Sequence, residues 1–240
     1  MIFQGVTLNG VTVVDLGPVT SNLVLYYNPN LATSYPGTGT TLYDISGNSL
    51  NGTMSNLTYT DPYLAYNGTS SQVSIPDNAL LEPGTGDWTM EVWVKQTSST
   101  GSQVILGKFS PGGAASNVSY AIRLINGGLV RADYGNGTTA VSTANYTMTL
   151  NTWYQIVYVF TNVANNNIYT YVNGALSTTT THSFASILNT STNLYLGSYN
   201  NNEYSQFWAG QTGIVRLYNS ALTAGQIAQN YNANRSTYGL

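Results

Sequence analysis

The sequence predicts an all-β protein, a sandwich of two antiparallel sheets finished by one short C-terminal helix. Three observations predict it. Charged residues make up only 6% of the 240, against roughly 25% in an ordinary globular chain. Asn, Thr, Ser, Gly and Tyr take their place, residues that favour strands and turns over helices. Short alternating apolar segments recur along the chain between turn residues, and a single strong helix-start signal follows the last of them.

Taken in order, Val6 and Leu8, then Val11 and Val13, alternate about Asn9-Gly10, a hairpin signal that Gly17-Pro18 brings to an end. Residues 1–20 therefore read as an N-terminal β arm that docks onto something, or as edge strands of the same sandwich. The main domain runs over 21–240 without a linker. Leu23–Tyr27 is a strand stopped by Asn28-Pro29. Turn-rich sequence leads into Leu42–Asn48, Asn51-Gly52 is a turn, and Leu64–Tyr66 and Val73–Ile75 are short strands.

Asp87–Lys95 is the best central strand, with Trp88, Met90, Val92 and Val94 on one face and Thr89, Glu91, Trp93 and Lys95 on the other. Val104–Phe109, Tyr120–Ile125 and Leu129–Tyr134 alternate again. Trp153–Phe160 is apolar on both faces, as expected of a strand lying beneath another layer. Ile168–Val172 meets Asn173-Gly174, the strongest hairpin signal in the chain. Leu194–Leu196 is a strand closed by Gly197. Ile214–Tyr218 reads as half-buried, with Ile214, Arg216 and Tyr218 opposite Val215 and Leu217. Thr223-Ala-Gly-Gln226 is a capping box, and Ile227 and Tyr231 give the helix one apolar stripe.

Composition excludes several functions. The net charge is −3 and the six Lys and Arg residues are scattered, so there is no footprint for nucleic acid. There is no Cys, hence no disulfide, thiol catalysis or thiolate metal site. The first ten residues, MIFQGVTLNG, lack the basic and continuous apolar parts of a signal peptide. No apolar run approaches the ~18 residues that would span a bilayer, so membrane insertion is not expected.

Six blocks occur in an order and spacing that resemble a known family: LYDISGNSLNGT from Leu42, LAYNGTSSQVSIP from Leu64, DWTMEVWVK from Asp87, NTWYQIVYVF from Asn151, IYTYVNGAL from Ile168 and IVRLYNSALTAGQI from Ile214. Over about residues 22–234 the chain resembles the laminin-G-like branch of the concanavalin A-like lectin/glucanase domains. The resemblance implies a jelly-roll sandwich with a short C-terminal helix. The two ends, NLVLYYNPNLATSYPGTGTTLYDISGNSLNGTM and QNYNANRSTYGL, are similar to virion components of tailed phages. That implies synthesis in a bacterial cytoplasm and a place in the virion.

Catalysis is not expected. Glycoside hydrolysis needs two carboxylates about the scissile bond, and the Glu-x-Asp-x-x-Glu string of the family's glucanases is missing. Glu82, Glu91 and Glu203 lie far apart, and His182, the one histidine, has no nucleophile motif beside it. No cofactor is required. The one ion that the resemblance brings in is calcium, near Asp44 and Asn48; the alternative is that both make turn hydrogen bonds. Gly213 stands where family members commonly carry an acidic residue, which counts against the ion.

Glycan binding needs aromatic faces with Asn and backbone donors beside them. The loops holding Tyr134 and Asn136, and Tyr199, Asn201, Tyr204 and Trp208, have that composition. Assembly contacts are expected at the ends, through Ile2, Phe3, Val6, Leu8, Tyr238 and Leu240. The function expected is a non-enzymatic virion structural protein, a capsid surface decoration subunit that also binds glycans. Its partners would be major capsid or other virion proteins and further copies of itself, a trimer among the options. The alternative is a carbohydrate-binding lectin module or a tail-fibre adhesin for host surface glycans.

Overall fold

The computed structural model describes residues 5–8, 11–14, 16–110, 117–162, 165–200 and 205–240, the first two segments as backbone strands. The strands are β1 (Gly5–Leu8), β2 (Val11–Val14), β3 (Leu23–Tyr27), β4 (Thr41–Leu42), β5 (Gly52–Ser55), β6 (Thr58–Thr60), β7 (Tyr63–Asn67) and β8 (Gln72–Ile75). Then come β9 (Trp88–Gln96), β10 (Gln103–Phe109), β11 (Val118–Ile125), β12 (Leu129–Gly135), β13 (Ala140–Ser142), β14 (Tyr146–Thr147), β15 (Trp153–Thr161) and β16 (Asn167–Val172). The last are β17 (Ala175–Thr181), β18 (Leu194–Leu196), β19 (Ser198–Asn200), β20 (Ser205–Phe207) and β21 (Ala209–Tyr218), followed by helix α1 (Ala224–Asn234) and a 3-10 turn, Arg235–Tyr238.

Two antiparallel sheets carry the fold. The first runs β17-β16-β15-β9-β21-β7-β6, with β3 beside the far half of β21; the second runs β13-β12-β11-β10-β18-β8-β5-β4, with β14 also on β12. Between them lies the main core. Trp88, Met90, Val92 and Val94 enter it from β9, and Tyr154, Ile156, Tyr158 and Phe160 from β15. Ile105, Leu106, Tyr120, Ile122, Leu124, Val130 and Leu196 meet them from the second sheet. The facing of β9 is the one its alternation predicts.

The other face of the first sheet is not open to water. Val157, Val159, Tyr171 and Tyr218 are buried there with Val19, Leu222 and Ile227. Trp93 and Ile214 pack with Tyr26 and Tyr238. This explains the double apolar face of β15 and corrects the half-buried reading of β21, whose outer residues Ile214, Arg216 and Tyr218 are fully covered. The cover is α1, started by the expected capping box: Thr223 Oγ1 accepts from Gln226 N at 3.3 Å and Gln226 Oε1 accepts from Thr223 N at 2.9 Å.

The N-terminal hairpin forms with Gly5 opposite Val14 and Leu8 opposite Val11. Among the described residues it pairs with neither large sheet. Residues 17–19, by contrast, are bound to the sandwich. Val19 N donates to Asn230 Oδ1 at 2.7 Å, Tyr218 Oη to Val19 O at 3.1 Å, and Gln229 Nε2 to Gly17 O at 2.9 Å. The hairpin at Asn173-Gly174 uses positive φ at both positions, 50° and 79°, as a primed turn requires.

Candidate functional site

Of the residues that composition singles out for sugar binding, the structure corrects Tyr134 and Trp208. Tyr134 and Trp208 belong to the core, each 0% exposed. Tyr134 packs on Phe160 with ring centroids 5.0 Å apart, and no sugar can reach either ring. Asn136 folds its own turn, its Oδ1 accepting from the backbone of Thr138 at 3.0 Å and Thr139 at 2.8 Å. Tyr199 lies on Phe109, 4.1 Å between centroids, over the outer face of the second sheet. Asn201 and Tyr204 lie outside the described residues, as do Ile2 and Phe3, while Val6 and Leu8 are described only as strand positions.

At the C-terminal end, Tyr238 serves the chain's own packing. Its hydroxyl accepts from Ile214 N at 3.1 Å, its ring stacks on Trp93 at 4.7 Å, and Leu240 packs against the same cluster. The ring also explains Gly213: a Cβ there would stand 2.1 Å from the Tyr238 hydroxyl, so the tail fills the space that any side chain at 213 would need.

The Asp44 loop does not fit calcium. Asp44 Oδ1 accepts from Tyr26 N and Ser46 N, both at 2.9 Å, and Oδ2 from Ser46 Oγ at 2.7 Å and Leu50 N at 3.0 Å. Asn48 turns its amide nitrogen to the carbonyls of Leu23 and Val24. Ca²⁺ needs six to eight free oxygens, and here the carboxylate is spent on N–H and O–H donors. Among the described residues no group of three or more acidic or His side chains converges for a metal.

The carboxylates with catalytic potential are likewise engaged. Glu91 is fully buried; its Oε1 accepts from Trp93 Nε1 (3.1 Å), Gln155 Nε2 (2.9 Å) and Arg216 Nη1 (2.9 Å), and its Oε2 from Asn230 Nδ2 (2.7 Å). Glu82 and Asp77 hold the buried Lys108 ammonium at 2.8 and 2.6 Å, and the carbonyls of Thr190 and Thr192 approach it at 2.9 and 2.5 Å. Burial nonetheless raises the Glu82 pKa, outweighing Lys108.

His182 lies on Phe160, 4.2 Å between ring centroids. Its Nδ1 accepts from Phe184 N at 3.2 Å, which places the proton on Nε2, 3.0 Å from Thr161 O. Burial lowers its pKa, against the opposing pull of the Thr161 carbonyl. It borders an open groove of about 470 Å³ between the edge strands β13 and β17, with Thr139, Val141 and Thr181.

The surface best suited to a ligand is one that composition does not reveal. Beyond the cover of α1, the outer face of the first sheet continues as a half-exposed shelf of Tyr63, Lys95, Trp153 and Gln211. Register builds it: Trp153 on β15 and Gln211 on β21 both pair with Lys95 on β9, and Gln211 pairs with Ala65 on β7, two residues from Tyr63. Tyr63 and Trp153 start three strands apart, about 14 Å at the usual spacing. Their rings nevertheless lie 5.6 Å apart at 54°, so both lean inward over the strands between. The Lys95 ammonium is 5.3 Å from the Tyr63 centroid and 5.4 Å from that of Trp153. Gln211 Oε1 is buried without a hydrogen-bond partner. Tyr238, 4.5 Å from Trp153, walls one side. Two amphipathic rings and a cation therefore share one shelf. The signal was Trp153 just after a turn and Lys95 at the end of its strand, but their register is set only by the fold.

Comparison with known proteins places the fold. A family profile described as the concanavalin A-like lectin/glucanases superfamily matches residues 67–228. The chain belongs to this superfamily. Of the shelf, Lys95, Trp153 and Gln211 lie in the matched region and Tyr63 just before it. A search of curated proteins gives no significant match. Among solved structures, a Trypanosoma rangeli sialidase in complex with sialic acid superposes with a TM-score of 0.69 at 14% identity, over 100% of this chain and 37% of that one. A botulinum neurotoxin type C structure, whose cell entry depends upon interaction with two ganglioside molecules, gives 0.64 at 15% over 89% and 52%. The binding domain of Paraclostridial Mosquitocidal Protein 1 gives 0.68 at 14% over 89% and 52%. The chain thus spans about a third to a half of these chains, and at such identities the likeness is one of fold: a lectin-like sandwich.

Proposed function

We propose that this superfamily member is a non-catalytic carbohydrate-binding module that takes its ligand on the Tyr63–Trp153 shelf. The observation that carries the reading is the pair of half-exposed rings, 5.6 Å apart, with the Lys95 ammonium over both. Sugar C–H faces stack on such rings, and an ammonium donates to sugar oxygens. The fold supports it too, since the sialidase is seen with sialic acid and the type C toxin interacts with gangliosides. Glu91, beneath α1 and fully bonded, supports a binding role over hydrolysis.

The test is a glycan array followed by titration calorimetry on the best ligand. Trp153→Ala and Tyr63→Ala should each weaken binding by roughly tenfold, the worth of about 1.4 kcal/mol of stacking, while circular dichroism stays unchanged. Undiminished binding by both variants would remove the shelf from consideration.

A second reading, a virion structural subunit held through its N-terminal hairpin, is favoured by one observation: among the described residues β1 and β2 pair with each other and with neither sheet. Removing residues 1–15 spares the Gly17 and Val19 contacts to α1. On this reading the truncated chain folds but no longer joins particles; particles that still carry it would end the reading.

A further inference from the structure

We infer, building on the shelf as the glycan site, that its ligand is an acidic sugar whose carboxylate pairs with Lys95. The chain has six Lys and Arg residues, and their partners differ sharply. Lys108 and Arg216 are fully buried against Asp77, Glu82 and Glu91. Arg123 and Arg131 share Asp133, at 3.1 and 2.8 Å. Lys95 and Arg235 have no carboxylate within salt-bridge distance among the described residues; the first lies over Tyr63 and Trp153, the second over Tyr231 at 6.0 Å.

Both of these cations stand on one face. Tyr231 stacks on Trp93 at 5.9 Å, Trp93 on Tyr238 at 4.7 Å, and Tyr238 meets Trp153 at 4.5 Å, so a continuous run of rings joins Arg235 to the shelf. In a chain of net charge −3, this face carries two positive charges with no side-chain carboxylate within salt-bridge distance among the described residues. The rings hold the Lys95 ammonium by cation–π attraction, which leaves its N–H donors free for an acceptor. A sugar stacked on Trp153 or Tyr63 brings its ring substituents within reach of Lys95. A carboxylate there gains a charge-assisted hydrogen bond that a neutral hydroxyl cannot match.

The experiment compares a sialylated oligosaccharide, a uronate oligosaccharide and the carboxyl-reduced form of each, titrated against the full chain at low and high salt. At least one acidic ligand should bind roughly tenfold tighter than its reduced form, as a hydrogen bond to a charged group allows, and salt should erode the difference. The two acidic arms identify which sugar supplies the carboxylate. Lys95→Met keeps the apolar stem on the rings and should bring the ratio to about one; Lys95→Arg should restore most of it. Equal binding of acidic and reduced ligands, or a ratio unchanged in Lys95→Met, overturns the inference. If Trp153→Ala still weakens binding in that event, the shelf stands without its charge preference. No binding by any of the four sugars overturns both.

Discussion

Glu91 Oε1 and Arg216 Nη1 lie 2.9 Å apart, and neither side chain has any exposed surface. The pair sits on adjacent central strands in register, on the face that α1 closes. Tyr26 and Asn234 take the second guanidinium nitrogen at 3.1 and 2.8 Å, and Asn230 of the helix takes the free Glu91 oxygen. The ion pair therefore ties the first sheet to its cover. Removing one partner strands the other charge in the interior, at a cost of about 3–5 kcal/mol. Urea unfolding of Glu91→Gln and of Arg216→Met should each show that loss. The double variant should lose less than the sum, because no lone charge remains.

Gly213 and Tyr238 form a second such link. The absent Cβ makes room for a phenol at 2.1 Å, so Gly213→Ala should cost about 1–3 kcal/mol by overpacking. In a Tyr238→Ala background the same substitution should be nearly silent. The four-variant thermal cycle measures the coupling, and an equal cost in both backgrounds would show that the ring is not what Gly213 accommodates.

Trp208, expected at a sugar site, should act as a core residue. Trp208→Ala should destabilise the fold by about 3–5 kcal/mol and leave glycan affinity of the folded fraction unchanged. Calorimetry on that fraction checks the second half of the statement.

Acid should weaken the flank that holds His182. Burial sets its folded pKa below the ordinary value of 6.5, so the unfolded chain binds the proton more readily. The stabilisation is complete above the unfolded pKa and is lost as pH falls through it towards the folded value. Melting temperature followed against pH should fall more steeply below about 6.5 for the native chain than for His182→Gln.

The strands were legible because burial on one or both faces leaves a period in the residues. Trp88 to Val94 and Ile214 to Tyr218 face as their alternation predicts, and Thr223 with Gln226 starts the helix it announces. The aromatic residues were not legible in the same way. Tyr and Trp alternate whether they fill a core or floor a shelf, so nothing local separates the buried Tyr134 and Trp208 from the half-exposed Tyr63 and Trp153. What separates them is how the sheets stack and where α1 stops covering, both products of long-range pairing. Gly213 shows the same limit: the sequence records a glycine, but only the fold shows the Tyr238 ring that leaves no room for a side chain there.

Two carboxylates and two carbonyls gathered around one cation, as at Lys108, are the kind of oxygen cage in which proteins often keep a metal. A free ion exchanges with its surroundings, and its hold on a fold rises and falls with concentration. Here the cation is part of the polymer. Its occupancy is one by construction, so neither chelator nor dilution can remove the cation from this corner. The loops carrying Asp77, Glu82, Thr190 and Thr192 are gathered by a covalently attached ion.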